Sequence, residues 1–117
     1  MRRGVRTSLV RSSKFNNQPT TIDGIRFASK KEAKRYAELV LLWKAGEIRD
    51  LTMHPRFDLR VDSVHVCRYI ADFSYYDERD DLIVEDVKGM KSGTAYALFS
   101  IKRQLMLSCL GIEVREI

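Results

Sequence analysis

Apolar residues follow a helical rhythm twice along this chain, and strand-like runs lie between. Residues 29–45 open on Ser29 and place Tyr36, Leu39, Val40 and Trp43 on one face, with Gly46 as a stop. Residues 94–110 predict a second helix, ended by Gly111. Between them, residues 48–51 and 56–61 predict strands on either side of the His54-Pro55 break, and residues 64–76 predict one long strand. The polar run Asp77-Glu78-Arg79-Asp80-Asp81 turns the chain into residues 82–88, whose Leu82-Ile83-Val84 suits a central buried strand. Upstream, Asp23-Gly24 inside residues 20–27 signals a hairpin.

Residues 112–117 alternate as a closing strand. Strand, helix and strand at this spacing form a crossover unit, so the last strand is expected parallel to residues 82–88. The expected fold class is therefore α/β, a mixed central sheet flanked by a helix before it and a helix after it. At 117 residues the chain has room for one such core and not for two. Residues 19–117 are read as the folded domain, and residues 1–18, polar and without period, as a flexible basic arm.

Charge sharpens that division. Net charge is +5, and Arg2, Arg3, Arg6, Arg11 and Lys14 precede the first acid, so a cationic arm precedes an electrically balanced body. Such an arm suits a polyanion, bound without sequence preference and weakened by salt; an ordinary solvated tail is the plain alternative. No apolar run approaches the ~18 residues of a membrane span, and the basic start lacks the apolar stretch of a secretory signal. Cys67 and Cys109 fit neither a zinc quartet nor a disulfide framework, and are read as buried free thiols of a cytoplasmic protein.

The candidate chemistry sits on the predicted sheet. Asp72 and Asp86 lie on strands expected to pair, and Asp86 and Lys88 are two apart on an extended segment. Their side chains should leave one face roughly 6.6 Å apart. Glu32 shares the apolar stripe of the first helix, although Ser29-Lys30-Lys31-Glu32 is also a capping box that would account for an acid there. Carboxylates and an ammonium on one surface are the parts of a divalent-metal site for phosphodiester hydrolysis, and oxygen ligands favour Mg²⁺ or Mn²⁺ over zinc. An internal Asp86–Lys88 ion pair is the plain alternative. Lys30, Lys31 and Lys34 on the first helix, and Lys91 in the following loop, are candidates for holding DNA phosphates. Lys102, Arg103 and Gln104 are read as a solvated helix face, and His54 as structural.

Asp72, then Asp86-Val87-Lys88, with the helical Glu32 before them, resembles the PD-(D/E)xK nuclease superfamily. Its runs Asp23-Gly24-Ile25-Arg26-Phe27, Ser29-Lys30-Lys31-Glu32-Ala33 and Glu85-Asp86-Val87-Lys88-Gly89 are similar to a phage protein family of uncharacterised function assigned to that superfamily. The resemblance covers about residues 20–117. It departs from the motif at Ala71, where the proline that names the motif stands; that proline ligates nothing.

The resemblance implies a restriction-endonuclease-like αβββαβ core. It implies Glu32, Asp72, Asp86 and the Val87 carbonyl as metal ligands, with Lys88 orienting the attacking water or stabilising the phosphate. The expected protein is a Mg²⁺- or Mn²⁺-dependent DNA endonuclease of phage or prophage origin, selective for branched or nicked DNA and, by analogy with junction-resolving members, a homodimer. The alternatives are a non-catalytic DNA-binding or assembly protein on the same fold, an RNase, or a subunit of a transposition or defence complex.

Overall fold

The computed structural model describes residues 20–117; the expected basic arm, with Arg2, Arg3, Arg6, Arg11 and Lys14, lies outside them. The chain divides into two compact units, Met1–Leu41 and Leu42–Ile117.

In the first unit, β1 (Thr20–Ile22) and β2 (Ile25–Phe27) form the hairpin the sequence predicts. Asp23 and Gly24 carry φ values of 54° and 76°, the geometry of a tight turn whose twist matches its strands. Helix α1 (Lys30–Lys44) follows and runs on past the division. Ser29 Oγ accepts the Glu32 amide at 3.1 Å, which satisfies one of the first turn's orphan donors. At the other end Gly46 has φ 79°, and Gly46 and Glu47 donate back to the Trp43 and Leu42 carbonyls at 3.0 Å each. The buried stripe is Glu32, Ala33, Tyr36 and Leu39. Trp43, expected on it, is instead 52% exposed. The Phe27 and Tyr36 rings pack with centroids 5.0 Å apart.

The second unit is built on a four-stranded sheet of β3 (Arg49–Met53), β6 (Phe73–Tyr76), β7 (Leu82–Asp86) and β8 (Val114–Glu116), in the order β3-β6-β7-β8. The first two pairings are antiparallel, and β7–β8 is parallel, as the crossover through α2 (Gly93–Leu110) requires. The fold class is thus α/β with a mixed sheet. Strands β4 (Arg56–Val61) and β5 (Val64–Ile70) form a separate two-stranded sheet between β3 and β6 in sequence. Its inner face joins α2 in the core: Leu59, Tyr69, Ala71, Val84, Phe99, Met106 and Val114 are all buried together. Cys67 and Cys109 are free, as expected, but only half-buried at its margin.

Two strand expectations need correction. The single strand over residues 64–76 is broken at Ala71-Asp72, because the backbone changes partner there. Ala71 still donates to the Pro55 carbonyl on the hairpin side, at 3.1 Å, whereas Asp72 donates to the Glu85 carbonyl of β7, also at 3.1 Å. Asp72 therefore occupies the corner where the chain passes from one sheet to the other, not a mid-strand position. The strand expected over residues 82–88 ends at Asp86, and Lys88 continues alongside β8 through one bond to the Ile117 carbonyl at 3.3 Å.

Candidate active site

The corner at Asp72 fixes that residue by three hydrogen bonds. Its amide is bound to Glu85, its carbonyl accepts the His54 amide at 2.9 Å, and its carboxylate Oδ2 accepts the Val87 amide at 2.7 Å. The last of these ties Asp72 to the segment that carries Asp86. Asp86 closes β7 on the face shared with Val84, which is the face that packs on α2. It is only 5% exposed. Its Oδ2 accepts the Tyr69 hydroxyl at 2.5 Å and its Oδ1 lies 3.3 Å from Lys88 Nζ. Asp86 and Lys88 thus share a face, as their spacing predicts.

Tyr69 links the acids electrostatically. Burial, foremost, then its bond to Asp86 and the charges of Asp86 and Asp72 push its phenol well above the ordinary tyrosine value. It therefore stays a protonated donor to Asp86. The Lys88 ammonium stands 4.3 Å from the centre of the Phe99 ring, a cation–π contact that holds the side chain over the core edge. Glu85, the neighbour of Asp86, faces the other way, is fully buried and accepts the Tyr75 hydroxyl.

Next to Asp86, across the parallel pairing, stands Glu116. It accepts from Tyr96 at 2.8 Å and lies within 3.2 Å of Lys91 and 3.3 Å of Arg103. The Tyr96 bond, then Lys91 and Arg103, hold its carboxyl below the usual carboxylate range. Lys91, a candidate phosphate contact, is therefore engaged with Glu116. Lys102 and Arg103 are not the idle solvated face expected: Lys102 donates to the Arg68 carbonyl at 2.9 Å and Arg103 to that of Val114 at 3.1 Å.

The second unit brings together Asp72, Asp86, Val87 and Lys88. Glu32 lies in the first unit, buried in the first turn of α1, where Lys30, Lys31 and Lys34 are exposed. No spacing in the sequence marks Tyr69 as a partner of Asp86. His54, read from the sequence as structural, has a ring nitrogen that lies within 4.8 Å of a carboxylate oxygen of Asp72.

The donor chemistry fits a hard divalent cation. Carboxylate oxygens accept a hydrogen bond and a metal at once, and ligating carboxylates are characteristically oriented by just such donors as the Val87 amide and Tyr69 hydroxyl.

The chain belongs to the DUF1064 family, described as a protein of unknown function, whose model matches residues 12–108. No curated protein and no solved structure matches the chain.

Proposed function

We propose that this chain is a divalent-metal-dependent endonuclease that hydrolyses phosphodiester bonds in DNA, on a restriction-endonuclease-like αβββαβ core. The succession α1, β3, β6, β7, α2, β8, with β7 and β8 parallel, supports that core, the β4–β5 hairpin being an insertion in it. One observation carries the functional reading. The Asp72 carboxylate is bound to the Val87 amide between Asp86 and Lys88, so the two halves of the motif meet at one strand end.

Bound there, Mg²⁺ or Mn²⁺ would supply Lewis-acid polarisation of the phosphate and an acidified water. The protein's part is positional. Asp72 and Asp86 offer oxygens whose orientation Val87 and Tyr69 fix, and Lys88 keeps a positive charge where negative charge grows on the phosphate. Glu32 and the Val87 carbonyl are added as ligands on the resemblance alone. Lys30, Lys31 and Lys34, exposed on α1, are proposed phosphate contacts. Branched or nicked DNA is proposed as the target by analogy with the junction-resolving members that the chain resembles. A phage origin and a homodimer follow only from the resemblance. Among the described residues no helix is long and apolar enough to cross a membrane.

The test is nicking of supercoiled plasmid and four-way junctions with Mg²⁺ or Mn²⁺, with matched RNA substrates in parallel. Wild type should cut and Asp86→Ala should not; identical behaviour of the two ends the enzymatic reading. A second reading, a DNA-binding protein without catalysis, is favoured by the Asp86–Lys88 ion pair at 3.3 Å, in which the lysine ammonium balances the carboxylate. It requires that divalent ions give no thermal stabilisation that Asp72→Asn removes.

A further inference from the structure

We infer that His54 supplies an imidazole nitrogen to the cation held by Asp72, so that this site prefers Mn²⁺ and its transition-metal neighbours to Mg²⁺. The inference rests on the metal-site reading above and changes its ligand set from oxygen alone to mixed nitrogen and oxygen.

The geometry is a short backbone clamp. His54 and Pro55 separate β3 from β4, and Ala71 and Asp72 separate β5 from β6. Two hydrogen bonds join these breaks: His54 amide to Asp72 carbonyl at 2.9 Å, and Ala71 amide to Pro55 carbonyl at 3.1 Å. The same corner that takes Asp72 out of a regular strand thereby sets His54 beside it. The His54 nitrogen and Asp72 oxygen lie within 4.8 Å. Two ligands at about 2.1 Å from one ion stand about 3 Å apart at right angles, a separation that the 4.8 Å limit on the His54 nitrogen and Asp72 oxygen accommodates. At φ 51° the His54 backbone is one that Asn also adopts readily.

The consequence for metal choice is chemical. Mg²⁺ holds its waters tightly and is served by oxygen. Affinity for a site with an imidazole rises from Mn²⁺ through Co²⁺. The alternative use of the same geometry is an imidazolium–carboxylate pair, which would hold the turn and compete with a cation instead of binding it.

Electron spin-echo envelope modulation of Mn²⁺ bound to the untagged full-length protein separates the two, alongside Mn²⁺ and Mg²⁺ affinities from thermal shift. Expected are a nitrogen-14 modulation of imidazole type in wild type and its loss in His54→Asn. The variant's Mn²⁺ affinity should fall on the order of tenfold, with Mg²⁺ affinity changed by less than about twofold. His65, the chain's other histidine, is 3.3 Å from Asp58 on the hairpin, so the variant is what assigns the nitrogen. Mn²⁺ binding that Asp72→Asn abolishes, with no nitrogen modulation and no effect of His54→Asn, overturns the inference and leaves the metal site standing. Mn²⁺ binding indifferent to Asp72→Asn overturns both.

Discussion

Replacing Tyr69 by Phe removes one oxygen and little else. The ring keeps its contacts with Phe57 and Phe99, both at 6.4 Å between centroids, so no cavity forms and the packing contribution is retained. What is lost is the donor to Asp86 Oδ2, on a carboxylate 5% exposed. A hydrogen bond to a charged group is worth about 1.5–3 kcal/mol. Lys88 stays beside Oδ1, which places the expected loss near 2 kcal/mol, or about 10 °C in Tm for a chain of this size. Tyr75→Phe is the matched control, since it removes the donor to Glu85, which is fully buried on the opposite face of β7. Urea unfolding should show similar losses for both variants. Divalent-ion titration should separate them: Tyr69→Phe weakens Mn²⁺ binding by about tenfold or more, because an orienting partner of a ligand is gone, whereas Tyr75→Phe leaves it unchanged. Equal effects of the two variants on metal affinity, or a loss under about 0.5 kcal/mol for Tyr69→Phe, would refute the reasoning.

Tyr96→Phe should raise the titration midpoint of Glu116, followed by NMR of its side-chain carboxyl, because Tyr96 is the first of the groups that depress it. The folded-state value lies below the ordinary 4.5. The stabilisation is therefore present above that range and is lost as pH falls through the lower folded value; the variant should lose less stability on acidification, and an unmoved midpoint refutes the assignment. Gly111→Ala should cost about 1 kcal/mol in urea unfolding. Gly111 caps α2 at φ 70°, and an added Cβ meets nothing within 4 Å. A loss above about 3 kcal/mol would mean a steric rather than a conformational origin.

Much of the fold was legible because its signals are local. Asp23-Gly24, Ser29, Gly46 and Gly111 each act through the turn or cap they occupy, and the structure uses all four as expected. The parallel closing strand followed from connection length alone. The break at Ala71-Asp72 was not legible, since residues 64–76 are strand-like throughout and what interrupts them is a change of partner from Pro55 to Glu85. No single-chain pattern encodes that exchange. Trp43 failed for a similar reason: periodicity gives a face, and burial of that face at the helix's last turn depends on what tertiary structure reaches it. In the candidate site, Asp86 and Lys88 were readable from a spacing of two. Tyr69 and His54 reach it only through pairings made far away in sequence.

Burial of the acids does not by itself point to catalysis. Strand β7 ends on two successive carboxylates facing opposite ways, Glu85 and Asp86, 0% and 5% exposed. Each accepts a tyrosine hydroxyl. A buried acid is tolerable when donors satisfy it, so these two pairs alone are equally compatible with a structural account. The asymmetry lies in what surrounds them. On the Asp86 side the strand stops, Lys88 is brought within 3.3 Å, and the next amide is given to Asp72. The Asp86 side thus holds two carboxylate-bearing residues and an ammonium at one strand end. That is a donor set a divalent ion would use, and it is the reason for seeking the metal at the Asp72 corner and not at Glu85.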